Sequence, residues 1–469
     1  MAADRTSPSI LLDGAPVESL QQYKDSGGGQ AFAAAVQVDP DTLVAEITAS
    51  GLRGRGGGGF PTGQKWAGIR AAGPGRRFAV CNAAEGEPGT FKDRALLRHN
   101  PYRVLEGLAI AGYAVGAEAA YIATKASYTR EADRLATALA EIEADGLFAD
   151  LHITLVLGPD EYLFGEEKAL LEVIEGNEPL PRWLPPYEHG LFATDVQAGW
   201  QSTDAPAGVG QSRGRGQPNP TLINNVETLA HVPRIMMQGA DWFRSMGTAE
   251  SPGTTIATIV GDVQHPLVAE IEMGTPLSAL IEMAGGPLPG RTLRAAFSGV
   301  ANAVITADHF DAPVSYEGMK AIGSGIGSVG FVFYDDTACP VEVARALSRF
   351  LYVESCGQCR SCKFGTGEIT RALEAIGAGS GTDEQIEYIG ARLLTVTDQT
   401  RCFLAAEEQI MISSILREFP EEFALHLEGR CSVDPRPIDA PKLVDVADGV
   451  ATYDAKQARK LPDWTYGDA

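Results

Sequence analysis

Four cysteines constrain this chain more than any other feature: Cys356-x-x-Cys359-x-x-Cys362, followed after 39 intervening residues by Cys402. A cubane iron-sulfur cluster needs four convergent thiolates, and cysteine at every third position presents three of them from one short loop. The fourth must come from elsewhere in the fold, so the chain between Cys362 and Cys402 has to return on itself. Zinc sites more often use two separated Cys-x-x-Cys pairs around a tetrahedral ion, which leaves a zinc-stabilised adaptor as the alternative reading. Gly, Gln, Arg, Ser and Lys surround the triplet, a composition unlike that of buried structural thiols. The remaining Cys81, Cys339 and Cys431 show no ligand spacing and read as structural thiols.

Seven cysteines in 469 residues, four of them committed to one site, do not make a disulfide framework. The start MAADRTSPSILLDGAPVESL has no basic region followed by an apolar core. A cytoplasmic location is therefore expected. No stretch approaches the roughly 18 apolar residues that a membrane span requires, so there is no direct membrane insertion, and contact with the cytoplasmic membrane face would come through a complex. A formal charge of −23, from 61 acidic and 38 basic residues, argues against nucleic acid as a partner.

The second strong signal is Gly51-Leu-Arg-Gly-Arg-Gly-Gly-Gly-Gly-Phe-Pro-Thr-Gly-Gln-Lys-Trp66, with six glycines and two arginines in its first nine residues. Such a run is costly inside a helix or strand and makes a loop whose bare backbone approaches a ligand closely. Unobstructed amides beside Arg53, Arg55 and Lys65 suit phosphate, although glycine-rich segments also serve as linkers. The pattern that follows favours the first reading. Residues 77–82 read as a strand, 101–115 as a helix with Asn100 as N-cap and Gly116 as its stop, and 119–124 as a strand. A helix over 128–145 and a strand over 152–158 complete a βαβαβ series, hence a parallel sheet with a ligand crevice at the strands' carboxyl ends. Two acidic loops fall at those ends, Asn82-Ala-Ala-Glu-Gly-Glu-Pro-Gly-Thr-Phe-Lys-Asp-Arg94 and Glu161-Tyr-Leu-Phe-Gly-Glu-Glu-Lys168.

The glycine loop, both acidic loops, Asn224-Asn-Val-Glu-Thr228 and the cysteines together resemble the NADH-binding flavoprotein subunit of respiratory complex I. Related diaphorase subunits of NAD-linked formate dehydrogenases and hydrogenases share that pattern. The resemblance runs from about residue 50 to about residue 430. It implies an FMN site of Gly54, Arg55, Gly56, Gly57, Lys65, Asn82, Tyr162, Gly165, Asn224, Asn225 and Thr228. It also implies a nucleotide pocket of Phe60, Glu87, Glu166, Glu167 and Tyr187, and a [4Fe-4S] cluster on Cys356, Cys359, Cys362 and Cys402. Hydride transfer between NAD(H) and a flavin needs no general base, so Glu87 and Glu167 enter catalysis as shapers of the nicotinamide pocket. The implied partners are a small [2Fe-2S] thioredoxin-like or ferredoxin-like subunit and a larger catalytic or quinone-reducing iron-sulfur subunit.

Several positions depart from the family pattern: Ala84 for an aspartate, Leu184 for a lysine, Lys168 for a threonine, and Gly68 where an aromatic can help sandwich adenine. These keep open a non-catalytic iron-sulfur scaffold that has lost nucleotide binding. Residues 191–217, rich in Gly, Ala, Ser and Thr, look like an insertion beside the pocket. Beyond a helical stretch over 233–246, short strands (254–260, 267–273 and 293–297) and a helix opened by Thr275 and Pro276 suit a β-grasp, soluble-ligand-binding domain. Helices over 341–354, 367–376, 383–395 and 402–419 suit a small bundle holding the cluster.

The fold class expected is α/β: a Rossmann-like parallel-sheet FMN/NADH domain, a β-grasp domain and a C-terminal helical cluster domain. Its divisions are an N-terminal extension (1–50), the FMN and nucleotide domain (51–245), the β-grasp domain (246–335), the helical domain (336–430) and an extended tail (431–469) that lies on a partner.

Overall fold

The computed structural model of the chain describes residues 9–73, 75–193, 217–434 and 436–468. Most of the expected insertion, residues 194–216, lies outside the described residues.

Strands β1 (Phe78–Ala83), β2 (Ala119–Lys125), β3 (Ile153–Gly158) and β4 (Thr221–Asn225) form a sheet in the order β3-β2-β1-β4, parallel throughout. The first three agree with the sequence pattern to within a residue or two. The fourth is not expected from the sequence, where its asparagines read as a ligand-binding motif. Its register sets Asn82 opposite Asn225, so the two asparagines sit side by side where β1 and β4 end. Phe78, Val80, Cys81 and Ala83 are buried, as in parallel strands covered on both faces.

The helix Pro101–Val115 is bounded as its sequence dictates. The Asn100 side chain accepts from the Arg103 N–H, and Gly116 closes the helix in the left-handed region at φ 68°. Along its length it packs on the helix Val226–Gln238. Gly107 permits their approach, since a Cβ there would stand 2.0 Å from the Leu229 carbonyl oxygen. That second helix differs from expectation. It begins at Val226 with Asn225 as N-cap and runs through Pro233, which the sequence suggested as a start.

The first 50 residues are drawn into the core. Leu11, Leu20, Tyr23, Leu43 and Ile47 pack with Leu105, Leu108 and Leu229 in one apolar cluster. Buried Glu106 accepts from the Phe32 and Gly29 amides at 2.8 and 3.1 Å, and Glu270 gathers the amides of Ile10, Leu11 and Leu12 at 2.8–3.1 Å.

A second, mixed sheet has the order β6-β5-β9-β7-β8, from β5 (Thr254–Gly261), β6 (Leu267–Glu272), β7 (Leu293–Ser298), β8 (Ile305–Thr306) and β9 (Gly330–Asp335). Its helix Leu277–Met283 has Pro276 at the N-cap. Thr275 donates its hydroxyl back to the Glu272 carbonyl at 2.7 Å and does not cap the helix, contrary to the sequence reading.

The helices Pro340–Glu354, Arg360–Gly377, Asp383–Thr395 and Leu404–Glu418 form the bundle, with a further short helix, Pro420–Leu427, that the sequence did not suggest. The second starts seven residues earlier than expected, at the cysteine loop itself. The tail also departs from expectation, because it lies on its own chain. A hairpin of β10 (Leu443–Ala447) and β11 (Val450–Tyr453) forms, Pro441 accepts from the Gly89 amide at 2.8 Å, and Lys460 pairs with Glu354, both fully buried. No helix among the described residues is long and apolar enough to cross a membrane.

Candidate functional site

The glycine loop, both acidic loops and the end of β4 enclose a cavity of about 750 Å³ at the carboxyl ends of the parallel strands. The loop is a short hairpin. Gly54 donates to the Phe60 carbonyl at 2.9 Å, Arg53 Nε to the Gly59 carbonyl at 2.8 Å, and the Arg53 guanidinium lies 3.8 Å above the Tyr316 ring. Tyr316, from the β-grasp domain, also donates to the Gly54 carbonyl at 2.8 Å. Gly59 takes φ +60° directly against that ring, where a Cβ would approach to 2.3 Å, whereas a Cβ on Gly58 would meet nothing within 4 Å. The result is a rigid, bare-backbone cradle open on its ligand side.

Of the residues implied by the resemblance, Gly54, Gly56, Gly57, Phe60, Glu87, Lys65, Asn82, Tyr162, Gly165, Glu166, Glu167, Asn224, Asn225 and Thr228 line the cavity. Arg55 and Tyr187 do not. Arg55 is buried at 2 % exposure and turns away, donating to the Pro252 and Thr254 carbonyls at 3.0 and 3.1 Å with Glu227 4.0 Å off. It joins two domains instead of meeting a phosphate. Tyr187 stands exposed outside the lining. Gly68 is also exposed and outside it, with open space where a side chain would project, so an aromatic there would not border the cavity. Ala84 does border it.

The asparagines brace the walls. Asn82 donates to the Gly165 carbonyl at 2.8 Å, Asn224 accepts from the Trp66 indole at 2.8 Å, and Asn225 donates to Asp93 at 2.7 Å while accepting from Lys92 at 2.9 Å. Lys92 is the residue that sequence reasoning overlooked. Its ammonium lies fully buried on the cavity wall, 2.7 Å from Asp93 and 3.0 Å from Glu227. Burial alone would lower it, but the charges of Asp93 and Glu227 outweigh that and hold it above its ordinary value. Asp93 is pushed up to about 6 by burial, against the pull of Lys92. The available signal was a Lys-Asp pair in the loop after a parallel strand, where a ligand crevice opens.

Across the cavity the chemistry differs. Tyr162 places its hydroxyl 2.6 Å from Glu87 and 3.1 Å from Glu407, and Glu87 also accepts from the Val300 amide at 2.6 Å. Among the described residues neither carboxylate has an ion-pair partner. Burial raises Glu87, and burial together with the charge of Glu87 raises Glu407 well above the carboxylate range. A phenol has one hydrogen, so satisfying both contacts requires a hydrogen on one carboxyl, and these influences favour Glu407. Glu166 has a structural task, capping the helix Glu167–Ile174 through the Lys168 and Ala169 amides at 2.9 and 3.1 Å. Glu167 pairs with Lys65.

Of the four cysteines, Cys356 sits in the loop after Pro340–Glu354, Cys359 caps the next helix, Cys362 lies in its first turn and Cys402 precedes Leu404–Glu418. Burial pushes all four thiols up, Cys362 to about 12. They therefore hold thiolates only against a strong cationic acceptor, and four sulfurs from two loops are the donor set of a cubane. Lys363 adds a cation behind them, donating to the Ser355 carbonyl at 2.7 Å. Cys402, Phe403 and Glu407 also line the cavity. The fourth thiol thus borders the same space as the glycine cradle. Cradle, buried cation and thiol set fit a phosphate-bearing flavin beside an iron-sulfur cluster.

Comparison with known proteins agrees with this geometry. Residues 47–234 match the Nuo51 FMN-binding domain, residues 256–297 the SLBB domain and residues 342–426 the iron-sulfur binding region of NADH-ubiquinone oxidoreductase-F. The second of two NADH-quinone oxidoreductase F subunits of Rhizobium meliloti (strain 1021) is 36 % identical over 424 residues, 88 % of this chain and 95 % of that protein. The corresponding protein of Streptomyces coelicolor is 35 % identical over 429 residues, covering 89 % and 90 %. Among solved structures, a chain of an NAD+-reducing [NiFe]-hydrogenase in the H2-reduced state aligns with a TM-score of 0.73 at 30 % identity, over 90 % of this chain and 68 % of that one.

Proposed function

Because the chain belongs to the family of NADH-quinone oxidoreductase F subunits, we propose that it is the electron-input component of a larger dehydrogenase complex, oxidising NADH or, in reverse, reducing NAD+. When bound, FMN supplies the conversion between a hydride pair and single electrons, and the [4Fe-4S] cluster takes those electrons one at a time. The observation that carries this reading is Cys402 on the wall of the glycine-lined cavity. Electrons leaving a flavin there reach a cluster ligand without crossing another domain.

The residues of the chain divide the remaining work. Bare amides at Gly54, Gly56 and Gly57 receive phosphate, and Lys65 and Lys92 offset its charge. Asn82, Asn224, Asn225, Gly165 and Thr228 hold the flavin edge, while Tyr162 and Glu87 fix the opposite wall. Phe60, exposed at the mouth, stacks on the nucleotide's base. Glu87 and Glu167 shape the nicotinamide pocket, with Glu166 behind them. Cys356, Cys359, Cys362 and Cys402 ligate the cluster. We take 51–245, 246–335 and 336–430 as the three domain spans.

The onward partners we assign are a small [2Fe-2S] thioredoxin-like or ferredoxin-like subunit and a larger iron-sulfur subunit that is catalytic or reduces quinone. The setting is cytoplasmic, with any membrane contact made through that complex. The subunits that co-purify with the chain test this assignment. Purified protein is expected to contain FMN, to reduce ferricyanide with NADH and to give an iron-dependent EPR signal on reduction. Cys359→Ser should abolish that signal while FMN remains. Bound FMN with no reaction toward NADH or NADPH would overturn the proposal.

A further inference from the structure

Three donor side chains without sequence spacing converge on the far side of the helical domain. Cys339 stands at the N-cap of Pro340–Glu354, His426 in the last turn of Pro420–Leu427, and Cys431 just beyond that helix. Their ligand atoms all lie within 4.8 Å of one another, with Cys339 Sγ 3.2 Å from His426 Nε2. Among the described residues this is the one such group of three His, Cys, Asp or Glu side chains. Two of the three lie outside the span that matches the family's iron-sulfur region, which runs from 342 to 426. We propose that Cys339, His426 and Cys431 form a second metal site, which holds one zinc-type divalent cation structurally, separate from the electron path.

The donor set argues for this class of ion. Two thiolates and one imidazole are the soft and borderline ligands that zinc prefers. Ligand atoms on one tetrahedral zinc lie roughly 3.5–3.8 Å apart, given zinc–sulfur and zinc–nitrogen bonds of about 2.3 and 2.0 Å. The three atoms need to shift little to reach that spacing. His426 is already oriented, because its Nδ1 lies 3.3 Å from the Ile376 carbonyl oxygen. A hydrogen on Nδ1 satisfies that contact and leaves the Nε2 lone pair facing Cys339, the second-sphere arrangement seen behind metal-bound histidines. Cys339 and His426 are buried and Cys431 is partly accessible, which gives a cation a route in. The four cluster cysteines form no comparably tight group, as suits ligands of separate irons and not of one ion.

The position suggests what the ion does. Cys431 opens the segment that runs back over the bundle, where Arg345 donates to the Ile438 carbonyl at 3.1 Å and Arg349 to the Ala458 carbonyl at 2.8 Å. A cation bridging Cys339, His426 and Cys431 pins the root of that segment to the start of the helix leading to the cluster loop.

The test is metal analysis of the full chain carrying flavin and cluster, after exposure to Zn²⁺ and gel filtration. The expected content is about one zinc per chain beside the cluster iron. X-ray absorption at the zinc edge should show two sulfurs at about 2.3 Å and one imidazole nitrogen at about 2.0 Å. The paired change Cys431→Ser with His426→Gln should lower zinc about tenfold or more and leave iron and FMN unchanged. Zinc below about a tenth of an atom per chain, a zinc shell lacking two sulfurs, or a Cys339–Cys431 disulfide in the isolated protein would overturn the proposal. So would full retention of zinc by the double variant. If that variant fails to fold, the absorption spectrum of the unaltered chain decides.

Discussion

The two sides of the cavity bury carboxylates in opposite ways. On the glycine-loop side each has a buried cation: Glu227 and Asp93 have Lys92, and Glu85 has Arg94 at 2.8 Å. Toward the cluster, Glu87 and Glu407 have only the Tyr162 hydroxyl and a backbone amide, and nearby Glu408 has the Ser348 hydroxyl at 2.6 Å. The first arrangement fixes charge, because each anion is needed to neutralise a cation and the reverse. The second holds protons, because burial without a cation favours the neutral acid. One wall is therefore built to receive a charged phosphate group, and the other to remain electrically quiet between a flavin and a cluster.

The contrast breaks most visibly at Lys92. Lys92→Met would leave Asp93 and Glu227 buried without a cation, and such uncompensated charge costs about 3–5 kcal/mol. A large fall in the denaturation midpoint and loss of bound FMN are expected, read from chemical denaturation and from released flavin fluorescence.

The opposite wall is probed next by pH. Burial pushes Glu408 up to about 8 from the ordinary glutamate value of 4.5, so the folded state binds a proton that the unfolded chain has released. Its contribution to stability is full below about 4.5 and is lost as pH rises toward 8. Glu408→Gln should flatten the decline in stability across that window, measured by denaturation at several pH values. An unchanged slope would place the proton elsewhere.

The smallest effect is expected at Glu407. Its carboxyl is already the neutral partner, so Glu407→Gln keeps shape and hydrogen-bonding capacity and should alter stability at neutral pH by less than about 1 kcal/mol. A loss comparable to that of Lys92→Met would show that this wall carries charge after all.

Much of this was legible in the sequence. The cysteine spacing announced a cluster, and the boundaries of Pro101–Val115 followed from Asn100 and Gly116, because capping is local chemistry. What escaped was set by long-range convergence. Arg55 sits in a glycine loop like a phosphate ligand, yet its side chain is drawn 197 residues along the chain to Pro252. Lys92 looked like one charge in a polar loop until β4 brought Asn225, and the following helix Glu227, against it. Thr221–Asn225 was too short to show a strand period beside its conspicuous asparagines. Cys339, His426 and Cys431 share no spacing at all, and only the fold of the helical domain places them together.

The segment around residues 441–460 has a consequence for manufacture of the protein. Every residue lining the cavity precedes position 411, and every cluster cysteine precedes 403. Yet Gly89 is tied to Pro441, Arg94 donates to the Leu443 carbonyl, and Glu354, whose carboxylate receives the Tyr162 amide at 3.0 Å, is neutralised only by Lys460. A ribosome that has reached residue 430 has made both cofactor sites but not the strap that tightens their walls. Flavin and iron are thus best delivered to a chain whose synthesis has passed that strap, and a message cut short before it yields a receptacle with loose walls.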